Sequence, residues 1–149
     1  MTIEDEIKQP KFRNAHQKAV LNLIFTANWL TNRQRELFEP HGITGQQYNI
    51  LRILRGQHPK RISGAEIKSR MMDKKSDVSR LLDRLIGKRL VAKNQCPNDK
   101  RASDISITEA GLTLLQFLDA TINNMDAQLL NLTKEEALQL SKLLDKSRS

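Results

Sequence analysis

Hydrogen-bonding side chains recur at helical spacing between Lys75 and Lys88. The set comprises two hydroxyls, two guanidinium groups and one carboxylate: Ser76, Ser79, Arg80, Asp83 and Arg84. An apolar stripe lies on the other face of the same predicted helix: Val78, Leu81, Leu82, Leu85 and Ile86. Arginine pairs with guanine, a carboxylate accepts from cytosine, and hydroxyls contact bases or phosphates. The polar face therefore favours recognition of base edges in a major groove rather than catalysis.

The positive charge of the chain is concentrated around this helix. The formal net charge is +8 and the pI is near 9.9. Residues 60–104 carry 13 Lys or Arg against 6 Asp or Glu, whereas the rest of the chain is nearly balanced. A localised positive surface suits a phosphate backbone, because each neutralised phosphate releases condensed counterions. We therefore expect double-stranded DNA as the partner, with Lys74, Lys75 and Lys88 at its phosphates.

A charged turn follows the helix, between two strands predicted at about 90–95 and 104–107. The turn contains Asp99, Lys100 and Arg101. Arginine is attracted to the narrow minor groove of A·T-rich DNA, and Asp99 can hold the Arg101 guanidinium through a charge-assisted hydrogen bond. Asn-Asp pairs also occur in ordinary turns for backbone reasons alone. We predict a hairpin wing whose tip reaches a minor groove.

Helical periodicity and capping signals place about six helices around this hairpin. The first runs from about Pro10 to Phe38, and Thr44 caps the second. Ser63 has capping-box spacing before the third, the fourth spans about 75–88, and the last two begin near Thr108 and Thr133. The predicted fold class is mainly α with a small β-hairpin wing, a winged helix-turn-helix. We predict one domain, 1–149, in which residues 44–107 bind DNA.

The helices at both ends are long, rich in leucine and nearly neutral. Apolar helix surfaces of that length usually pack against something, and the central region is small. We therefore predict that residues 10–39 and 109–147 are dimerisation helices of a homodimer.

Aromatic side chains of the first two predicted helices form a candidate effector pocket. They are Phe25, Trp29, Phe38 and Tyr48, together with His41. The alternative, in which these rings belong to the core or to a dimer interface, stays open.

Other kinds of chemistry have little support in the sequence. His16, His41 and His58 lie far apart, and no phosphate loop or nucleophile elbow is present. We predict no metal, no cofactor and no enzyme activity. The lone Cys96 excludes an intrachain disulfide and suits a reducing cytoplasm. No apolar run approaches the length of a membrane span, so we expect no membrane association.

Taken in order, these segments resemble the MarR (multiple antibiotic resistance regulator) family of winged helix-turn-helix transcription factors. The resemblance lies in residues 43–51, 77–85, 90–91, 99–101 and 105–111. It implies an obligate homodimer formed by the first, fifth and sixth helices, with recognition helices in successive major grooves of a pseudo-palindrome. It also implies an Asp-x-Arg motif at the wing, here Asp99 and Arg101. Most members repress transcription, and many release DNA when a small ligand or an oxidant acts, so we expect a bacterial-type repressor.

Two positions depart from the family pattern. Arg89 stands where the family usually has a glycine that ends the recognition helix. Either Arg89 adopts a left-handed conformation at a cost of about 1 kcal/mol, or the helix ends differently. Thiol sensors of the family keep a reactive cysteine in the N-terminal helix, where this chain has none. We interpret Cys96, near the wing, as incidental.

Two other functions remain open from the sequence. One is a nucleic-acid binder that reads RNA or duplex shape without an operator, although residues 60–104 lack the aromatics that stack on single strands. The other is a helical protein-interaction module whose basic patch binds an acidic partner.

Overall fold

The computed structural model describes residues 1–96 and 99–149, and the side chains of these residues except 95–103, 125 and 127–130. Within these ranges the chain forms seven α-helices, one 3-10 turn and three strands. In chain order they are α1 (Ile3–Glu6), α2 (Ala15–Phe38), the 3-10 turn Glu39–His41, α3 (Gly45–Gln57), β1 (Ile62–Ser63), α4 (Gly64–Arg70), α5 (Val78–Gly87), β2 (Val91–Cys96), β3 (Asp99–Ile107), α6 (Glu109–Leu130) and α7 (Lys134–Ser147). The predicted fold class, a mainly α winged helix-turn-helix, is confirmed.

Four helices begin at side-chain caps that the sequence predicts. The hydroxyl oxygens of Thr44, Ser63, Thr108 and Thr133 each accept a hydrogen bond of 3.1 Å from the backbone N–H three residues later. Each cap satisfies an N–H group that has no acceptor within its own helix. The starts of α3, α4, α6 and α7 are therefore fixed by local sequence.

The N-terminal boundary of the long first helix was predicted wrongly. α2 begins at Ala15 rather than near Pro10, because the side-chain oxygen of Asn14 caps it by accepting from the backbone N–H of Gln17 at 2.8 Å. Residues before this cap include a short separate helix, α1, which the sequence analysis did not predict. Residues 1–96 and 99–149 therefore contain one more helix than the six expected.

β1 is a strand that the sequence analysis missed. The antiparallel sheet has the order β1-β3-β2, so the wing strand β3 is its central strand. Ile62 of β1 lies opposite Ile105, and Ser63 lies opposite Asp104. Ser63 is also the N-cap of α4. The base of the wing is thus joined directly to the first helix of the helix-turn-helix unit.

One cluster of buried side chains joins α3, α4, α5, the sheet and the first half of α6. Its most deeply buried members are Ile50, Leu51, Leu54, Ile67, Met71, Leu85, Ile105, Leu115 and Leu118. At the edge of this core, the Arg55 guanidinium of α3 lies 2.9 Å from both carboxylate oxygens of Asp119 on α6. The DNA-binding region predicted at 44–107 therefore shares its core with the start of α6.

Two of the flanking helices leave apolar faces uncovered. Val20, Leu23 and Ile24 of α2 are about half exposed, at 54%, 49% and 54%. On α7, Leu138 and Leu143 are similarly exposed, and no described residue of this helix is buried. Polar residues stand between these exposed apolar side chains. No helix in the described ranges has the length and hydrophobicity needed to cross a membrane.

Candidate nucleic-acid interface

The helix with the predicted recognition face, α5, is shorter than expected. It begins at Val78 rather than near Lys75, because the carboxylate of Asp77 accepts from the backbone N–H of Arg80 at 3.2 Å and caps the helix. An aspartate at this position satisfies an orphan N–H and also interacts favourably with the positive end of the helix dipole. The N-terminal turn of α5 is therefore defined by its own sequence.

The two faces of α5 separate as predicted. Val78, Leu81, Leu82 and Leu85 are buried in the core. The side chains on the other face are exposed: Ser79, Arg80, Asp83 and Arg84. Within the described part of the chain, neither Arg80 nor Arg84 forms an ion pair with a carboxylate. Both guanidinium groups are available to an external acceptor, as base recognition requires.

Ser76 does not belong to this exposed face. It precedes the helix, it is only 4% exposed, and its hydroxyl oxygen accepts from the side-chain amide of Gln46 at 3.4 Å. Its predicted place among the groove-facing side chains is wrong, because the helix was extended back over a segment that is a turn. The role of Ser76 is to hold this turn against α3.

Two residues at the start of α3 fix the turn between α4 and α5. The side-chain oxygen of Asn49 accepts from the backbone N–H of Met72 at 3.0 Å, and Asn49 is 2% exposed. The amide of Gln46 reaches the carboxylate of Asp73 at 3.4 Å. Sequence reasoning missed both residues, because the groups that they contact lie more than twenty positions away along the chain.

The lysines predicted to contact phosphates have different surroundings. The Lys74 ammonium donates to the backbone carbonyl of Ser69, and that of Lys88 donates to the carbonyl of Gly42. Lys75 and Lys68 instead line a cleft of about 450 Å³ between the beginnings of α4 and α5. Two cations therefore border the concave surface beside the exposed face of α5.

The C-terminal end of α5 takes the left-handed form that the sequence left open. Arg89 has a φ of 61°, which lies in the left-handed region. Its N–H donates to the carbonyl of Ile86 at 2.9 Å, and the N–H of Leu90 donates to the carbonyl of Leu85 at 3.0 Å. This pair of bonds is a Schellman motif, which satisfies two of the free carbonyls at the end of the helix.

The predicted contacts of the wing tip lie outside the described side chains. Asp99, Lys100 and Arg101 contribute backbone to β3, and their proposed role at a minor groove stays a prediction. The same holds for the Cys96 side chain, whose backbone lies at the end of β2.

The residues of the candidate effector pocket enter separate contacts. Phe38 is buried and its ring stacks on that of Tyr48, with centroids 4.7 Å apart. Burial raises the pKa of Tyr48 above 10.0, although nearby arginines act in the opposite direction. A ligand at this position would have to displace packed core rings, which favours the core role for this pair.

The other members of that set lie against different partners. The ring of His41 meets that of Phe117 on α6 edge-on, with centroids 5.5 Å apart. The Arg33 guanidinium lies over the Trp29 ring, 5.2 Å from its centroid, and Phe25 is half-buried. Phe117 was not singled out in the sequence, and no spacing signal links it to His41.

No metal site is evident in the described ranges. There, no three His, Cys, Asp or Glu side chains come together as a metal centre requires. The structure instead brings together the exposed arginines of α5, the lysines that border them and the hairpin. Together these groups can bind a polyanion.

Proteins whose solved structures share this fold include one that binds operator DNA and one whose DNA binding is regulated by a small molecule. A mutant MarR from E. coli complexed with operator DNA is 27% identical, with a TM-score of 0.71 and coverage of 99% of both chains. BpsR from Bordetella bronchiseptica, in which 6-hydroxynicotinic acid regulates DNA binding, is 18% identical, with a TM-score of 0.78. The match covers 89% of this chain and 99% of BpsR and shows the shared fold.

Family membership follows from the sequence relatives. The model of the MarR family matches residues 41–102, which include the helix-turn-helix unit and most of the hairpin. A MarR transcription factor from Planctomyces limnophilus is 31% identical, with a TM-score of 0.72, and the match covers 91% of this chain and 98% of that one. The chain therefore belongs to the MarR family of DNA-binding transcription regulators.

Proposed function

We propose that the protein is a repressor that binds a pseudo-palindromic operator as a homodimer. The observation that carries this proposal is the exposed face of α5. On this face Arg80 and Arg84 form no ion pair with a carboxylate that the structure describes, and the opposite face of the helix is a buried apolar stripe. A helix anchored on one face and bearing unpaired arginines on the other suits insertion into a major groove.

The proposed contacts divide between bases and phosphates. Arg80, Arg84 and Ser79 read base edges. Lys75, on the cleft beside α5, contacts phosphate, and Lys74 does so from the same turn. At the wing, Arg101 enters the minor groove with Asp99 orienting it and Lys100 close to the backbone. The support for the wing is the Asp-x-Arg motif and the affinity of arginine for narrow minor grooves.

The uncovered faces of α2 and α7 support a dimer. Half-exposed Val20 and Ile24 on one helix and Leu138 and Leu143 on the other would be costly to leave in water at about 25 cal/mol per Å². A two-fold partner presenting the same faces covers them and also places two copies of α5 one helical turn of DNA apart.

We further propose that a small molecule releases the protein from DNA. The support is the ligand-regulated DNA binding of BpsR, which shares the fold. Aromatic acids are the first ligands to test, with Trp29 as the probe, since its indole lies against Arg33. A thermal shift together with a change in Trp29 fluorescence would support an effector site near this ring. If neither the thermal stability nor the Trp29 fluorescence changed, the proposed effector site near this ring would be rejected.

Selection from a random duplex library near physiological salt tests the operator proposal. We expect a palindromic motif with half-sites about one helical turn apart, bound by a species of twice the 17.1 kDa chain mass. Enrichment without a motif would instead favour sequence-independent binding. No duplex binding at all would favour the protein-interaction module.

Arg84→Ala tests base reading on the selected duplex. We expect discrimination at one position per half-site to be lost, at a cost of about 1–3 kcal/mol per half-site. Arg148→Ala is the matched control, because Arg148 is an exposed arginine at the end of α7, where it pairs with Asp145. If Arg84→Ala weakened binding to all sequences equally, Arg84 would not read a base.

A further inference from the structure

A lysine side chain connects the C-terminal end of α5 to the connection between α2 and α3. Lys88 is the C-cap residue of α5. Its ammonium donates to the backbone carbonyl of Gly42 and lies 3.5 Å from the side-chain oxygen of Gln47. Lys88 lies 46 positions after Gly42 in the chain, so this contact joins two elements that are distant in sequence.

Both acceptors are held in place by their own surroundings. Gly42 ends the 3-10 turn with a φ of 68°, and its N–H donates to the carbonyl of Glu39 at 2.9 Å. Gln47 is 2% exposed, and its side-chain oxygen also accepts from the backbone N–H of Thr44 at 3.1 Å in a capping box. The ammonium therefore meets fixed dipoles, and it supplies a second donor to a buried amide oxygen.

The start of α3 thus holds both ends of the recognition segment. Gln46 and Asn49 bind the turn that precedes α5, whereas Gln47, with Gly42, receives the lysine at its far end. The buried apolar stripe of α5 holds the helix against the core, and these polar contacts at its two ends further restrict the direction of its axis. The direction of α5 decides where its exposed guanidinium groups lie relative to base edges.

We propose that Lys88 is a positioning residue that sets the angle of α5, rather than a phosphate ligand. The inference rests on the proposed reading of DNA by α5. It replaces the role in phosphate binding that the sequence predicted for Lys88, because this ammonium meets two acceptors within the protein, one of them the buried oxygen of Gln47, whereas that of Lys74 meets the carbonyl of Ser69. The contact also links the angle of the recognition helix to the end of α2, the helix proposed to form the dimer.

Salt dependence separates the two roles of a lysine. A phosphate contact contributes about 0.9 to the slope of log K against log salt concentration, whereas a positioning residue contributes nothing to it. Lys88→Met should leave the slope unchanged and reduce the preference for the selected duplex over a mismatched one by about fivefold or more. Lys75→Met is the matched control, since Lys75 lines the cleft beside α5. It should lower the slope and preserve the preference.

Lys88→Arg serves as the rescue variant, because a guanidinium also reaches and donates to carbonyl oxygens. We expect it to restore most of the preference. Hydrogen exchange without DNA gives an independent measurement: the amides of Arg89 and Leu90 should exchange faster in Lys88→Met but not in Lys75→Met. This arm also shows whether the variant is folded, because the core amides of Leu54 and Leu115 should stay protected.

The outcomes distinguish this inference from the proposed function. A slope lowered by about 0.9 per contact in Lys88→Met, or an unchanged preference and unchanged exchange, would overturn the positioning role. Failure of the wild-type protein to prefer any duplex would instead refute operator binding. The hydrogen-exchange arm would then still decide whether Lys88 anchors α5.

Discussion

The glycine in the first turn of α6 is the position where one added methyl group should do the most damage. A Cβ atom on Gly111 would lie 2.4 Å from the backbone carbonyl oxygen of Leu90 and 2.7 Å from Cγ1 of Ile107. The Leu90 oxygen also accepts a hydrogen bond of 3.1 Å from the N–H of Thr108. Since a carbonyl in that position cannot move without straining this bond, Gly111→Ala must shift α6 away from the sheet.

The expected cost follows from three contributions. Overpacking of a close contact costs about 1–3 kcal/mol, and weakening the Thr108 hydrogen bond adds about 1 kcal/mol. Replacing glycine by alanine within a helix stabilises the folded state by up to about 1 kcal/mol, which offsets part of this cost. We therefore expect Gly111→Ala to lower the free energy of unfolding by about 2 kcal/mol, which corresponds to a fall in Tm of roughly 4–8 °C for a chain of this length.

Gly56→Ala is the matched control for this measurement. Gly56 lies in α3, and a Cβ atom there would meet nothing within 4 Å. This variant should gain about 0.5–1 kcal/mol from helix propensity. Urea unfolding at one fixed protein concentration compares the two, because the stability of a proposed dimer depends on concentration. The steric reasoning would be refuted if Gly111→Ala were as stable as the wild type, or if both variants lost stability equally.

Two further predictions concern the left-handed residue and the half-buried tyrosine. Arg89→Gly should raise the free energy of unfolding by about 1 kcal/mol, since glycine tolerates the φ of 61° that arginine adopts at a cost. An unchanged urea midpoint would show that the rest of the chain offsets this strain. The single tyrosine, Tyr48, has a pKa raised above 10.0 by burial, so the folded state keeps its phenol neutral where the unfolded chain ionises. Stability should therefore be retained below pH 10.0 and fall as the pH rises through the folded pKa, and tyrosinate absorbance should appear at higher pH in native protein than in urea.

The sequence was informative wherever one segment determines its own structure. Thr44, Ser63, Thr108 and Thr133 could be recognised as caps because each bonds to a backbone group three residues away. The amphipathic pattern of α5 likewise depends only on the spacing within that helix. The resemblance to the family likewise rested on the order of such local signals.

Errors occurred where the structure depends on distant partners. The two residues of β1 carry no periodicity of their own, and they form a strand only because β3 supplies partners at Ile105 and Asp104. Ser76 was placed on the exposed face because its contact with Gln46 cannot be seen from spacing. The contact on which the proposed positioning role of Lys88 rests could not be predicted either, since nothing in the sequence places Gly42 beside Lys88.

The pairing of β1 with β3 limits how the protein can adapt to different DNA sites. Ser63 caps α4 and pairs with Asp104 on the wing strand, so the hairpin cannot tilt without carrying the helix-turn-helix unit along. In the proposed complex, in which α5 and the wing occupy neighbouring grooves, the separation of those two contacts along the duplex is a fixed property of each subunit. For the proposed homodimer, operators whose half-sites lie closer together or farther apart would therefore have to be matched by rotation of one subunit relative to the other.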